Sequence, residues 1–153
     1  MLQRRIGYNV THYLQLEIEV IADDLLHKLI DAAKAASRNA YCPYSTFRVG
    51  AAVLGRSGKI FAGCNVENAS YGLTICAERA AVSRAVAEGE QSIDAVAIHT
   101  ATATPTTPCG ACRQVLNEFG PSMECICVCD GRDVIRVALR NLLPSAFGPK
   151  NLE

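Results

Sequence analysis

Cys76-Ala77-Glu78 and Pro108-Cys109-Gly110-Ala111-Cys112 are the two short runs around which the rest of the chain is organised. Two thiols spaced as Cys-x-x-Cys can face one point at a tight turn or at the start of a helix, and the Cys76 thiol would make a third ligand. Three protein ligands leave the fourth tetrahedral position to water, as in a catalytic rather than a structural zinc site. Glu78, two residues after a ligand, would lie beside that water. The runs therefore predict a catalytic zinc ion held by Cys76, Cys109 and Cys112, with Glu78 as acid and base.

Two other interpretations use the same thiols. A structural zinc site would take a fourth thiol from Cys64 or Cys125. A dithiol redox site would need only Cys109 and Cys112, and would leave Cys76 and Glu78 without a role.

Composition limits the classes of function. The 153 residues are enough for one domain with a hydrophobic core, and half of them are hydrophobic. Lys and Arg together number 15, as do Asp and Glu, so the formal net charge is zero. The sequence has no basic stripe of the kind that binds a nucleic acid polymer, which argues against such a partner. It also has no apolar run that approaches the roughly twenty residues of a membrane span. Eight cysteines without a signal peptide favour a reduced, cytoplasmic location.

The order of the predicted elements indicates the fold class. Apolar residues at three- and four-residue steps predict a helix over 16–38, after an N-terminal extension (1–15) of unknown role. Further helices are predicted over 76–88 and 113–119, and strands over 47–54, 59–66, 93–100, 123–129 and 134–138. Residues 55–58 form a hairpin turn, and 139–147 form a tail. This order predicts an α/β fold, with helices on both faces of a mixed sheet.

Two sets of strand residues are singled out by their alternation. Asn65 and Glu67 share a face at the end of a strand, where they project towards a common ligand or simply cap the strand. Cys125, Cys127 and Cys129 also share a face, and are predicted to be small core residues rather than a second metal site.

Four runs carry a resemblance to a known family. They are residues 41–52 (Tyr-Cys-Pro-Tyr-Ser-Thr-Phe-Arg-Val-Gly-Ala-Ala), 63–71 (Gly-Cys-Asn-Val-Glu-Asn-Ala-Ser-Tyr), 74–79 (Thr-Ile-Cys-Ala-Glu-Arg) and 108–114 (Pro-Cys-Gly-Ala-Cys-Arg-Gln). In this order they resemble the homotetrameric, zinc-dependent cytidine deaminases, within the cytidine/deoxycytidylate deaminase superfamily. The resemblance extends from about residue 25 to residue 147. The chain departs from it at Cys42, where the family commonly has Ala, and in its longer N-terminal extension.

The resemblance implies a three-layer α/β/α sandwich with a five-stranded mixed sheet. It implies one Zn²⁺ per chain, held by the three cysteines, and hydrolytic deamination of cytidine and 2′-deoxycytidine in pyrimidine salvage, with Glu78 as proton shuttle. Substrate contacts are implied for Phe47, Asn65, Glu67, Tyr71, Ala77 and Phe147. Phe147 would reach a neighbouring protomer's pocket, so that a homotetramer shares its active sites. The alternatives are a deaminase of a nucleoside antibiotic such as blasticidin S and a non-catalytic, zinc-stabilised module.

Three thiolates around Zn²⁺ give a site with a net charge of −1, which weakens the metal as a Lewis acid. Two features are expected to offset this charge. Both cysteine runs are predicted to open helices, whose positive N-terminal ends stabilise thiolates. Arg79 is predicted to donate hydrogen bonds to ligand sulfurs and so to tune the metal.

Overall fold

The computed structural model describes residues 21–152. Within this range lie four α-helices, five strands and two short 3₁₀ turns. The helices are α1 (Asp23–Ser37), α2 (Ala77–Ala87), α3 (Gly110–Phe119) and α4 (Leu139–Leu142), and the strands are β1 (Val49–Gly55), β2 (Ile60–Cys64), β3 (Ile93–Thr100), β4 (Glu124–Cys129) and β5 (Val134–Ala138). The 3₁₀ turns are Tyr71–Leu73 and Pro149–Asn151. No helix in this part of the chain is both long and apolar enough to cross a bilayer.

The strands form one mixed sheet in the order β2-β1-β3-β4-β5. Strand β1 pairs antiparallel with β2 and with β3, and β4 pairs antiparallel with β5. The β3–β4 pair is parallel, because α3 carries the chain back between these strands. The predicted five-stranded mixed sheet is confirmed.

Alternate residues of each strand pack against helices on opposite faces of the sheet. On one face, Leu29 and Ala33 of α1 pack with Ala52, Ala97 and Ile126. The other face packs against α2, α3 and α4, through a cluster that includes Val53, Ile98, Cys127, Ala81, Leu116 and Leu139. The three-layer arrangement is therefore confirmed.

Two glycines allow these helices to lie unusually close to the sheet. A Cβ atom on Gly50 would overlap the carbonyl oxygen of Ala33 in α1. On the opposite face, a Cβ on Gly63 would lie 2.5 Å from the backbone nitrogen of Ala81 in α2. The position of α2 on the sheet therefore depends on having no side chain at Gly63.

The boundaries of some elements differ from those predicted. The strands over 93–100 and 134–138 are confirmed residue by residue, but β1 begins at Val49 rather than at 47. Helix α3 begins at Gly110, inside the Pro-Cys-x-x-Cys run that was predicted to open it, and the tail contains α4, which was not predicted. The start of the helix predicted over 16–38, like the extension 1–15, lies outside the described residues.

The cysteines of β4 belong to the core, as predicted. Cys125 and Cys127 are fully buried and Cys129 nearly so. Burial raises the pKa of Cys127 to about 12 and raises that of Cys125 as well. None of the eight cysteines is in a disulfide.

Candidate active site

Three thiols meet where two helices begin. Cys76 is the N-cap residue of α2, Cys109 is the N-cap residue of α3, and Cys112 lies in the first turn of α3. Their Sγ atoms all lie within 4.8 Å of one another. Zinc–sulfur bonds of about 2.3 Å in a tetrahedron place sulfurs about 3.8 Å apart, so the cluster fits a zinc ion. The prediction that both cysteine runs open helices is confirmed.

Electrostatics favour a thiolate in this cluster. A hydrogen bond with the Cys112 thiol, assisted by the charge of Arg79, lowers the pKa of Cys76 to about 5. The same interaction and its burial raise the pKa of Cys112. The surroundings of the cluster therefore favour the thiolate form of Cys76, which is the form that ligates zinc.

Arg79 contacts the cluster directly. Its Nη2 donates to the Cys76 sulfur at 3.5 Å and to the Thr74 carbonyl oxygen at 3.2 Å. Its buried Nε has no hydrogen-bond partner among the described residues. The predicted contact between Arg79 and a cluster sulfur is present, which brings a positive charge to this group.

Glu78 lies next to the thiols in the first turn of α2 and is only 5% exposed. Burial is the main cause that raises its pKa above the ordinary value for a carboxyl group, and the Cys76 thiolate raises it further. A carboxyl group with a raised pKa takes up and releases a proton more readily near neutral pH than an exposed one does.

The chemistry of the donor set distinguishes the interpretations left open by the sequence. Within residues 21–152, no fourth His, Cys, Asp or Glu donor atom joins Cys76, Cys109 and Cys112. Cys125 is in the core, and Cys64 ends β2 outside the cluster. A closed structural site with either thiol is therefore not supported. A dithiol site is not supported either, because Cys76 joins the pair.

The Cys76 and Cys109 thiols and Glu78 open onto a pocket. Its other lining residues in the described part of the chain are Phe47, Val49, Asn65, Thr74, Ala77, Ile98, Thr100, Thr106 and Thr107. Of the predicted substrate contacts, Phe47, Asn65 and Ala77 are in this set. The four threonines were not predicted. Thr106 and Thr107 directly precede the Pro-Cys-x-x-Cys run. This adjacency is the one feature of the sequence that could have placed them at the pocket.

Asn65 connects the ends of two strands at the pocket. Its Nδ2 donates to the Phe47 carbonyl oxygen at 2.8 Å, and its Oδ1 accepts from the Val49 amide at 2.9 Å. Both ends of the amide are therefore used to position the segment that carries Phe47. The capping role predicted as an alternative for Asn65 is observed.

The remaining predicted contacts lie outside the pocket lining. The Glu67 carboxylate accepts hydrogen bonds from the amides of Tyr44 and Ser45, at 2.9 and 3.2 Å, and from the Ser45 hydroxyl. Tyr71 is 74% exposed and its ring lies 5.8 Å from that of Tyr44. Phe147 is 59% exposed, and its carbonyl oxygen accepts a hydrogen bond from Gln114.

Comparison with known proteins identifies the family. Residues 24–129 match the model of the cytidine and deoxycytidylate deaminase zinc-binding region. A probable cytidine deaminase of Dictyostelium discoideum is 48% identical over 83% of this chain and 86% of its own length. A cytidine deaminase of Sporosarcina psychrophila is 44% identical over 83% of this chain and 94% of its own.

Solved structures agree with this result. The crystal structure of cytidine deaminase from Burkholderia pseudomallei has a TM-score of 0.76 and 51% sequence identity, covering 79% of this chain and 98% of that one. The cofactor is Zn²⁺, one ion per chain, and the cluster of three thiols fits it. With a matching family model, matching relatives and a matching fold, the chain belongs to the cytidine and deoxycytidylate deaminase family of zinc-dependent enzymes.

Proposed function

We propose that this protein catalyses the hydrolytic deamination of cytidine and 2′-deoxycytidine to uridine and 2′-deoxyuridine, with release of ammonia, as part of pyrimidine salvage. The observation that carries the proposal is the cluster of three thiols beside the buried Glu78 carboxyl group at one pocket. The names of the relatives described above support the choice of nucleoside.

Cys76, Cys109 and Cys112 would hold the zinc ion, and no fourth His, Cys, Asp or Glu donor in the described part of the chain joins them. A zinc ion in such a site makes water available as a nucleophile at neutral pH, by lowering its pKa from about 15.7 towards about 7. With zinc bound, water would add at C4 of the pyrimidine, where the exocyclic amine leaves.

Glu78 moves the protons. Its carboxylate takes one from the attacking water, delivers it to N3 of the ring and then assists the departure of ammonia. Its burial supports this role, because a carboxyl group with a raised pKa is a better base in one step and still an effective acid in the next.

Arg79 reduces the net negative charge around the zinc ion. Its guanidinium donates to the Cys76 sulfur and offsets part of the negative charge of the three thiolates. The N-terminal ends of α2 and α3, where Cys76 and Cys109 lie, act in the same direction.

The nucleoside is held by Phe47, Asn65 and Ala77 of the pocket lining, and by Glu67 from outside that lining. Phe47 and Ala77 pack against it, and Asn65 and Glu67 hold the ribose hydroxyls. The hydrogen bonds of Glu67 support its assignment to the ribose. The two oxygens of a carboxylate offer about four acceptor sites, and the 44–45 loop occupies three of them. One site therefore remains for a sugar hydroxyl. If the wild type deaminates free cytosine as well as it deaminates cytidine, this assignment is wrong.

The active enzyme is a cytoplasmic homotetramer whose pockets are completed by neighbouring protomers. The large exposed apolar residues Tyr71, Leu73 and Ile75 follow the Asn65 segment in the chain, and Phe147 is exposed on the tail. Such apolar exposure favours a contact with another copy. Gel filtration tests the assembly. Phe147→Ala is expected to raise KM for cytidine, and an unchanged KM would oppose a shared pocket.

The test of the activity is an absorbance assay with cytidine, together with zinc stoichiometry on the same sample. We expect turnover with one zinc ion per chain. Zinc without turnover of cytidine would favour a non-catalytic module, and turnover of blasticidin S alone would favour an antibiotic deaminase.

A further inference from the structure

Arg113 of α3 connects three parts of the chain around the thiol cluster. Its Nε donates to the Pro108 carbonyl oxygen at 2.7 Å, and its Nη2 donates to the Thr107 hydroxyl at 3.1 Å. Its Nη1 donates to the carbonyl oxygen of Leu142, at the end of α4, at 3.0 Å. One planar guanidinium thus holds the segment before Cys109 and the start of the C-terminal tail.

Apart from the burial of the Pro108 side chain, the segment held by Arg113 has little other support. Within the described residues, 105–108 make no backbone–backbone hydrogen bond, and Pro108 has no N–H to donate. Thr107 also lines the pocket, and Pro108 directly precedes the Cys109 thiol. The bonds from Arg113 are therefore the polar contacts that orient this wall of the pocket and the chain as it enters Cys109.

The role of Arg113 depends on the directions of its hydrogen-bond donors rather than on its positive charge. All three acceptors of Arg113 are neutral, and no carboxylate in residues 21–152 lies within ion-pair distance of it. The backbone amide of Arg113 also donates to the Cys109 carbonyl oxygen, at 2.9 Å. A fork of fixed donors can satisfy three acceptors in different directions, whereas the flexible ammonium of Lys cannot hold the same three in one geometry.

The adjacent residue extends the connection to the tail. Gln114 Nε2 donates to the Phe147 carbonyl oxygen at 2.9 Å, so two consecutive residues of α3 hold the tail at two points. Both residues immediately follow Cys112. The placement of the tail is thereby tied to the helix that carries two of the three thiols.

We infer that Arg113 is a positioning residue for the zinc ligand Cys109 and for the Thr107 wall of the pocket, and that it ties both to the C-terminal tail. The inference rests on the proposed ligation of zinc by the cysteine cluster. Residues that orient metal ligands commonly change metal affinity by about 10–100-fold when replaced.

The test compares three purified variants with the wild type. Arg113→Met removes every donor but keeps an unbranched apolar stem, and Arg113→Lys keeps a charge that reaches fewer acceptors. Arg84→Met is the matched control, because Arg84 is an exposed residue of α2 that pairs only with Glu88 at the surface. Zinc release to a coloured chelator is measured well below each variant's unfolding temperature, with the cobalt(II) absorption spectrum as a second readout.

We expect zinc release at least about 10-fold faster for Arg113→Met than for the wild type, an intermediate rate for Arg113→Lys and an unchanged rate for Arg84→Met. The thiolate–cobalt bands should shift in the same order. A purely structural role would lower the unfolding temperature without changing either readout in the folded protein. Release within twofold of the wild type for Arg113→Met refutes the inference.

If Arg113→Met does not fold, Arg113→Lys decides the question: release about threefold or more faster than for the wild type supports the inference, and a smaller change refutes it. The same experiment distinguishes a failure of the proposed function from a failure of the inference about Arg113. A wild-type protein that binds no zinc refutes the ligand assignment itself, whereas wild-type zinc binding with no effect at Arg113 refutes only the positioning role.

Discussion

Replacement of Glu78 by Gln is the substitution that separates chemistry from folding most cleanly. The Glu78 side chain is 5% exposed, and Gln has the same shape without the ability to carry a proton between sites. General acid–base catalysis contributes about 10²–10⁴-fold for each proton transferred. Because Glu78 serves at least two transfers, kcat is expected to fall by at least about 10⁴-fold, which corresponds to about 5.4 kcal/mol of activation free energy.

The same substitution should leave the fold and the metal in place. A neutral amide replaces a carboxyl group whose burial already disfavours its charge, so the free energy of unfolding should stay within about 1 kcal/mol or increase. The assay is the absorbance change on deamination of cytidine, with zinc content and thermal unfolding on the same samples. Glu88→Gln, at the exposed end of α2, is the control and should retain wild-type kcat. Glu78→Gln activity within tenfold of the wild type, or loss of its zinc, would refute the proton-shuttle role.

Three further predictions concern packing, thiol reactivity and charge. Gly63→Ala places a Cβ 2.5 Å from the backbone of α2, so it should lower the free energy of unfolding by about 1–3 kcal/mol and reduce kcat. Gly72→Ala, with nothing within 4 Å, should leave the free energy of unfolding of the chain unchanged. Iodoacetamide at pH 8 should leave Cys125 and Cys127 of the native protein unmodified, since both are buried and their pKa values are raised. Mass spectrometry measures the modification, and rapid labelling would contradict their place in the core. Arg79→Ala should lower both kcat and zinc retention, and no change in either would show that Arg79 does not tune the metal.

Elements with a strong local pattern were predictable from the sequence. The mostly apolar run of β3 and the short β5 were predicted to the residue, and the hairpin between β1 and β2 follows from its turn residues. The start of β1 was placed too early. There the Asn65 side chain, rather than a neighbouring strand, pairs with the backbone carbonyl of Phe47, and it also accepts from the amide of Val49, the first residue of β1. No periodicity in the sequence reveals such a tertiary contact.

The candidate site also has features that were predictable from the sequence and features that were not. The convergence of the three thiols was predictable, because the chemistry of zinc requires those residue types at that spacing. The threonine wall was not, since Thr106 and Thr107 reach the pocket through a loop whose position depends on Arg113. The contact of Glu67 with Ser45 joins residues 22 positions apart, which again only the folded chain brings together.

The most direct test of the account is the zinc X-ray absorption spectrum of the purified wild-type protein. Three sulfur neighbours at about 2.3 Å and one oxygen neighbour at about 2.0 Å are expected, because Cys76, Cys109 and Cys112 are the donors brought together in the described structure. Four sulfur neighbours would contradict an open coordination position, and with it the assignment of this cluster as the place where deamination occurs.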